Sequence, residues 1–244
     1  MSLIRVAVNG SMGRMGRESV KAVNDDPELH LVAQSDLNDD LNEIIKKSRA
    51  QVVLDFTHAD VVMEVSEKII ESGARPVIGT SGLLPRQIEK LQKLCRKKNI
   101  GGLIAPNFAI GAVLMMKFSK EAAKYLPNAE IIELHHDNKL DAPSGTAIKT
   151  ANLISNTRKS FLKSKSEREI ISGTRGGSSE GVRIHSVRLP GLVAHQEVIF
   201  GGKSQTLKIR HDSIHRESFM PGVCLACKKV LELDELVYGL ENLI

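Results

Sequence analysis

The stretch "VAVNGSMGRMGR", residues 6–17, carries the strongest indication of the fold of the first part of this chain. It begins as an apolar run typical of a buried strand and continues as a helical pattern, with Gly10, Gly13 and Gly16 at the junction. Glycine is needed where a chain turns sharply, where backbone approaches a bound phosphate, and where a helix packs closely on a strand. The following helix would present free N–H groups and the positive end of its dipole to the same anion, and Arg14 can add a side-chain contact. The stretch therefore predicts a site for the pyrophosphate of a dinucleotide.

An acidic residue supports this interpretation of the glycine pattern. Asp36 ends the second apolar segment, "HLVAQSD". A carboxylate at this distance from the glycines, about 20 residues further on, accepts hydrogen bonds from the ribose hydroxyls of a bound dinucleotide. Leu37 follows, where a 2′-phosphate would require a nearby arginine. We therefore expect NADH to be used at least as readily as NADPH.

Apolar segments and helical patterns alternate from residue 3 to about residue 107. This alternation is typical of a doubly wound parallel sheet, an α/β fold of the Rossmann type. After Phe108 the pattern changes to helices followed by alternating segments such as "GVRIHSVRL", "HQEVIFGG" and "SQTLKIRHDS". We interpret these as antiparallel strands of an open sheet, mixed or antiparallel overall, in a second, α+β domain, and the end of the chain as helical. The predicted domains are 1–107 with 216–244, which carries the dinucleotide site, and 108–215.

Composition narrows the class of protein. The chain has 244 residues, of which 41% are hydrophobic, 26% charged and only 3% aromatic. It can therefore bury a sizeable core, and that core must be aliphatic. No apolar run reaches the roughly 18 residues of a membrane-spanning helix, and we see no signal peptide, so we expect a cytoplasmic protein with no membrane partner. Three cysteines argue against a disulfide framework, and Cys224 and Cys227 lie in a helical apolar pattern typical of packed core thiols.

The net charge of +5 favours anionic partners without choosing among them. The basic segment "RKSFLKSKSER", residues 158–168, is predicted to be a solvated loop or helix face. It lacks the interleaved aromatic residues on which nucleic-acid bases stack, so we expect no nucleic-acid partner.

The stretch "ELHHDNKLDAPSGTA", residues 133–147, concentrates proton carriers before the start of a helix. Ser144 is the expected N-cap, and the N–H groups of Gly145 and Thr146 would then form a socket for a carboxylate. His135, His136 and Lys139 lie just upstream and can converge on the same anion. Such a cluster suits the binding of an acidic substrate and the donation of a proton to it. We expect no metal, because no further ligands stand at the required spacing.

With these motifs the chain resembles the dihydrodipicolinate reductase family, also called 4-hydroxy-tetrahydrodipicolinate reductases. The resemblance rests on "NGSMGRMGR", "DFT" at 55–57, "GTSG" at 79–82, "APNFAIG" at 105–111, "ELHHDNKLDAPSGTA", and "IHSVRLPGLVAHQEVIF" at 184–200. It covers nearly the whole chain, and the histidine-lysine block is its most specific part.

The resemblance implies an activity: reduction of 4-hydroxy-tetrahydrodipicolinate to tetrahydrodipicolinate with NADH or NADPH, in the diaminopimelate route to lysine. It also implies that residues 108–215 form the domain for substrate binding and oligomerisation, with a homotetramer formed through the open sheet, and a small dicarboxylate as substrate. His135 and Lys139 correspond to the family's proton-handling pair, and His136, Gly145 and Thr146 to its substrate contacts. The implied cofactor-binding residues are Gly10, Ser11, Met12, Gly13, Arg14, Met15 and Asp36, with Gly79, Thr80, Ser81, Ala105, Pro106, Asn107 and Phe108 at the nicotinamide end.

Three alternatives remain open from the residues alone. Another amino-acid dehydrogenase on the same nucleotide fold would explain the glycine loop but not "HHDNKLDAPSGTA". A redox-sensing regulator would bind NADH without consuming it and would leave the proton carriers idle. A nucleic-acid binder rests only on the net charge and lacks a recognition motif.

Overall fold

The computed structural model describes residues 3–159 and 168–244. Most of the basic segment at 158–168 therefore lies outside the described residues. The chain divides into two compact units, residues 1–110 with 216–244 and residues 111–215. We call them the first and the second unit.

Strands and helices alternate along the first part of the chain. It contains β1 (Ile4–Asn9), α1 (Arg14–Asp25), β2 (Leu29–Ser35), α2 (Leu41–Ser48), β3 (Val52–Asp55), α3 (Val62–Glu71), β4 (Arg75–Ile78), α4 (Pro85–Lys98) and β5 (Gly102–Ile104). The middle contains α5 (Ile110–Ala122), β6 (Asn128–His135), α6 (Gly145–Thr157), β7 (Gly177–Ser179), β8 (Val182–Arg188), β9 (Ala194–Gly202) and β10 (Gln205–Ser213). The last part contains α7 (Met220–Lys229) and β11 (Leu236–Tyr238).

The first unit is built on a six-stranded sheet in the order β11-β5-β4-β3-β1-β2, and all its pairings are parallel. The strand order reverses at β1, from which the chain builds β2 on one side and β3 to β5 on the other. In such sheets ligands bind outside the carboxyl ends of the strands at this reversal. The predicted doubly wound fold is confirmed. Two elements of the first unit were not predicted from the sequence. They are the short helix α2, and β11, which adds a parallel edge strand where only helix was expected.

Burial explains why these segments pair as they do. The four residues of β3, "VVLD", are all buried, as expected for a central strand covered on both faces. Pro85 occupies the first turn of α4, where its missing N–H has no intrahelical partner to lose. The helix ends at Asn99, whose φ of 53° is the left-handed conformation that closes many helices.

The second unit contains a five-stranded mixed sheet in the order β10-β9-β6-β8-β7. β6 is antiparallel to β9 and parallel to β8, so the sheet is mixed, which confirms the predicted mixed or antiparallel open sheet. The chain returns to the sheet through α6, and a helical crossover of this kind brings the next strand back in the parallel direction. Ile131, Val198 and Phe200 are buried on the face of the sheet that α6 covers.

Two further predictions can be checked on the fold. All three cysteines are buried and free, which confirms that Cys224 and Cys227 are core thiols. Among residues 3–159 and 168–244, no helix is both long and apolar enough to cross a membrane.

Candidate active site

The glycine loop of the first unit joins β1 to the amino end of α1. Gly10 has a φ of 75°, and a Cβ atom there would overlap the backbone of Phe56. A Cβ atom on Gly16 would overlap the carbonyl of Gly10, so the first turn of α1 packs directly on the loop. Gly13 is the N-cap of α1, so no N-cap side chain covers the first N–H groups of the helix. The first turn of α1 thus presents its backbone N–H groups at an open helix end, which fits the phosphates of a dinucleotide.

Asp36 follows the carboxyl end of β2 and contacts this loop. Its Oδ2 accepts a hydrogen bond of 2.8 Å from the N–H of Met12, and its Oδ1 accepts one of 2.9 Å from the N–H of Leu37. The carboxylate is therefore held beside the glycine loop, where a ribose would lie next to the pyrophosphate. The Leu37 side chain is exposed.

A buried carboxylate that the sequence analysis assigned no role stands at the end of β3. Asp55 is fully buried and accepts hydrogen bonds from Asn9 Nδ2 at 2.8 Å, Thr57 Oγ1 at 3.0 Å and Thr80 Oγ1 at 2.6 Å. Burial raises the pKa of Asp55, because the hydrogen bonds only partly offset the loss of solvation. This network ties together the carboxyl ends of β1 and β3 and the segment after β4, and so fixes Thr80.

The residues predicted to line the nicotinamide end follow the carboxyl ends of β4 and β5. Gly79 donates its N–H to the carbonyl of Asp55 at 2.9 Å, and a Cβ atom on Gly79 would overlap the ring of Phe56. Phe56 in turn packs edge-on against Phe108, with ring centroids 5.7 Å apart. The structure therefore places both predicted segments, 79–81 and 105–108, at the carboxyl ends of the strands, where the glycine loop also lies.

In the second unit, the predicted substrate residues surround the amino end of α6. Ser144 is the N-cap, and its Oγ accepts a hydrogen bond of 3.2 Å from the N–H of Ala147, as predicted. Gly145 is exposed, and no atom lies within 4 Å of the position that a Cβ atom would take. The first turn of α6 is thus open to an anion, which its N–H groups and dipole favour.

His135 ends β6 and is held by a carboxylate. Its Nδ1 lies 2.5 Å from Oε2 of Glu133, two residues earlier on the same face of the strand. Glu133 is fully buried, and its Oε1 also accepts a hydrogen bond of 3.3 Å from the N–H of Ser144. The same side chain therefore orients the imidazole and anchors the start of α6.

Arg188 supplies the positive charge that offsets the cost of burying the Glu133 carboxylate. It donates through Nη1 to Glu133 Oε2 at 2.9 Å and through Nη2 to Glu133 Oε1 at 2.8 Å. Burial opposes ionisation of Glu133, but the hydrogen bonds from His135, Arg188 and Ser186 outweigh it and lower the pKa of Glu133 to about 2. Nη2 also donates to the carbonyl of Asp141 at 2.7 Å, which fixes the segment between β6 and α6.

Lys139 lies in that segment and has a carboxylate partner of its own. Its Nζ lies 2.6 Å from Oδ1 of Asp141, and this hydrogen bond lowers the pKa of Asp141. The N–H of Lys139 donates to the carbonyl of His136 at 3.2 Å, closing a turn that keeps the half-buried His136 close to the lysine in the chain. Among the residues that the structure describes, no group of three His, Cys, Asp or Glu side chains could hold a metal ion.

Models of two protein families match this chain. "Dihydrodipicolinate reductase, N-terminus" matches residues 4–108, and "Dihydrodipicolinate reductase, C-terminus" matches residues 111–244. The chain belongs to the dihydrodipicolinate reductase family. The predicted family and enzyme class, a nicotinamide-dependent reductase, are confirmed, and with them the predicted function in lysine and diaminopimelate biosynthesis.

Relatives and a solved structure agree with this membership. The 4-hydroxy-tetrahydrodipicolinate reductase of Listeria monocytogenes serotype 4b (strain CLIP80459) is 51% identical, over 99% of this chain and all of the relative. The reductase of Coxiella burnetii (strain RSA 493 / Nine Mile phase I) is 52% identical, over 99% of both chains. A dipicolinate-bound dihydrodipicolinate reductase from Paenisporosarcina sp. TG-14 has a TM-score of 0.91 and 44% identity, covering 99% of this chain and all of that one.

For a dihydrodipicolinate reductase, this structure adds residues that the sequence analysis did not single out. Glu133, Arg188 and Asp141 contact the predicted proton carriers or the carboxylate that holds them, and Asp55 holds Thr80. One signal was available: Glu133 stands two residues before His135 in a strand, so both side chains share a face. Arg188 is distant in sequence, and only the parallel pairing of β6 with β8 brings it opposite His135.

Proposed function

We propose that His135 and Lys139 are the proton-handling residues with which this chain reduces 4-hydroxy-tetrahydrodipicolinate to tetrahydrodipicolinate in the diaminopimelate route to lysine. Family membership supports the reaction. The observation that carries the assignment of residues is the geometry at the amino end of α6. There Glu133 and Arg188 fix His135 and the helix start, and Lys139 stands in the segment between them.

The substrate class follows from the charges in the second unit. A small dicarboxylate such as this substrate, or the dipicolinate bound in the relative from Paenisporosarcina, needs cationic groups and N–H donors. We assign one carboxylate to the exposed first turn of α6, at Gly145 and Thr146. His136 and Lys139 supply positive charge and hydrogen bonds for the remainder of the anion.

Lys139 then has to exchange partners. Its ammonium group pairs with Asp141, whose side chain is 64% exposed. A surface ion pair of this kind is worth about 1 kcal/mol or less, so a substrate carboxylate can replace Asp141 at small cost. Asp141 thus holds the lysine in position without competing strongly with the substrate.

The role of His135 follows from its carboxylate partner. In the proposed reaction the 4-hydroxyl group leaves as water and hydride adds to the resulting conjugated double bond. An acid then supplies a proton to the negative charge that the hydride creates. The Glu133 carboxylate accepts a hydrogen bond from Nδ1 and so orients the ring, which leaves Nε2 to exchange a proton with the substrate. His135 and Lys139 form the acid pair of the proposed reaction.

The first unit fits a dinucleotide because its glycine loop leaves room that a Cβ atom would fill. Residues 10–15 would hold the pyrophosphate, Asp36 the ribose, and segments 79–81 and 105–108 the nicotinamide end. When bound, the reduced nicotinamide supplies the hydride. The exposed Leu37 offers no charge to a 2′-phosphate, so we propose that NADH serves at least as well as NADPH. By the same reasoning we assign dinucleotide binding to the first unit and substrate binding to the second.

Two further parts of the proposal concern the location of the enzyme in the cell and its oligomeric state. We place it in the cytoplasm, where its cofactor is available. We also propose a homotetramer formed through the face of the second-unit sheet that α6 leaves open. Sedimentation at equilibrium tests the tetramer.

An assay of turnover tests the proposed chemistry. The substrate is made freshly by the preceding synthase from pyruvate and aspartate semialdehyde, and NADH absorbance is followed. His135→Ala and Lys139→Ala should each lower turnover by roughly 10² or more while leaving the fold intact. Lys120→Ala, an exposed lysine on α5, is the matched control. Near-native turnover in either active-site variant would remove that residue from the mechanism.

A further inference from the structure

The first unit contains a second concave site, distant from the glycine loop. A cavity of about 660 Å³ lies where the carboxyl ends of α2 and α3 meet the start of β1 and of β4 and the residue before β3. The glycine loop follows the carboxyl end of β1, whereas this cavity is lined by Arg5, near the amino end of the same strand. The two sites therefore lie at opposite ends of the strands of one parallel sheet.

Charge distinguishes this cavity from an ordinary surface depression. Its lining includes four cationic side chains, Arg5, Lys46, Arg49 and Arg75, and one carboxylate, Glu71. They converge on it from α2, from the end of α3 and from the starts of β1 and β4. At neutral pH the cationic side chains outnumber the carboxylate, so the cavity favours anions.

Three of the four cationic side chains that line the cavity have no polar partner in the part of the chain that the structure describes. Among the described residues, Lys46, Arg49 and Arg75 make no ion pair and no side-chain hydrogen bond, and the Nε of Arg75 is enclosed without an acceptor. By contrast, Lys47 on α2 pairs with Glu43 at 2.5 Å. A buried N–H without an acceptor costs free energy, and an anion in the cavity would remove that cost.

Arg5 shows how the cluster is held in place. Its Nε donates to the carbonyl of Arg49 at 2.7 Å, and its own N–H donates to Gln51 Oε1 at 3.1 Å. The guanidinium therefore closes the carboxyl end of α2 and reduces the negative potential that this helix end would otherwise direct at the cavity.

We propose that this cavity is a binding site for a small polyanion, a molecule carrying phosphate groups or clustered carboxylates. Its volume lies within the range of about 300–1,000 Å³ found for small-molecule pockets. Arginine forks and a lysine on different elements match several anionic oxygens at once. The site is separate from the proposed reaction, and its test needs no turnover.

The experiment measures binding to protein whose dinucleotide site is saturated with NADH. Inorganic pyrophosphate and citrate are titrated calorimetrically in separate series at low ionic strength, which distinguishes phosphate from carboxylate ligands. We expect saturable binding of at least one of them. Lys46→Gln and Arg49→Gln should each weaken it by roughly tenfold, the loss of one charge-assisted contact. Both side chains are exposed, so these variants should fold even if Arg75→Gln does not.

Lys47→Gln is the matched control, because it removes the same charge from the next residue of α2, outside the cavity lining. It should leave the dissociation constant unchanged. Equal weakening by Lys46→Gln and Lys47→Gln would indicate diffuse attraction and overturn the proposal. The absence of saturable binding of either probe would overturn it too, since the cations would then serve only the helix ends.

Discussion

Glu133 Oε2 lies 2.5 Å from His135 Nδ1, and Arg188 holds the same carboxylate with two hydrogen bonds. A fully buried carboxylate held by a guanidinium and an imidazole cannot reorient easily. The imidazole is therefore fixed at the end of β6 before substrate arrives, which lowers the entropic cost of placing the proposed proton donor. In the proposed mechanism Glu133 acts through His135 and is a positioning residue.

The first prediction concerns catalysis. Glu133→Gln keeps the shape of the side chain but replaces the carboxylate that holds His135 Nδ1 with an amide, so the imidazole is less firmly oriented. We expect turnover to fall roughly 10- to 100-fold, with KM nearly unchanged. Glu130→Gln on the same strand is the control, since Glu130 pairs with Arg175 and His185 instead. Native turnover in Glu133→Gln, or a rise in KM as large as the fall in turnover, would contradict the positioning role.

The second prediction concerns stability and pH. Folding lowers the pKa of Glu133 from 4.5 to about 2, so its charged form stabilises the folded state. The shift corresponds to about 3 kcal/mol, which is present above pH 4.5 and is lost progressively as the pH falls toward 2. The free energy of unfolding, measured by urea denaturation across this range, should decrease in the wild type. The decrease should be smaller in Glu133→Gln, and parallel curves would show that the carboxylate is not the group responsible.

The third prediction concerns cofactor preference. Leu37 is exposed and follows the carboxylate that contacts the glycine loop. The wild type should bind NADH at least as tightly as NADPH in fluorescence titrations. Leu37→Arg would place a guanidinium near the expected 2′-phosphate and should tighten NADPH binding by about tenfold, with NADH little affected. Leu3→Arg, at the opposite end of the sheet, is the control, and a strong NADPH preference in the wild type would overturn the assignment.

The fourth prediction concerns the glycine loop. A methyl group on Gly16 would overlap the carbonyl of Gly10, and the loop or the helix start must shift. Gly16→Ala should therefore weaken the binding of both dinucleotides by at least about tenfold and lower the melting temperature. Gly201→Ala is the comparison, because nothing lies within 4 Å of its Cβ position. If both variants bind NADH like the wild type, the close packing does not shape the site.

Local patterns predicted much of this molecule. The glycine spacing at 10–16 and the position of Asp36 indicated the nucleotide half, since turn chemistry and helix ends depend on neighbouring residues. Ser144 was predicted as the N-cap of α6 for the same reason, and the structure agrees. The short helix α2 and the edge strand β11 were missed because each has too few residues to show a periodicity.

Sequence alone was enough for the family, through the resemblance of its motifs, and for the fold class, through the alternation of apolar and helical segments. It also showed that His135, His136 and Lys139 are close together along the chain. Which groups those side chains face depends on the folded structure. Arg188 reaches Glu133 because β8 pairs with β6 in a parallel register that places it opposite His135. The cationic side chains of the cavity proposed to bind a polyanion likewise come from helices and strands far apart in the chain. Contacts of this kind depend on long-range pairing and burial, which no local pattern encodes.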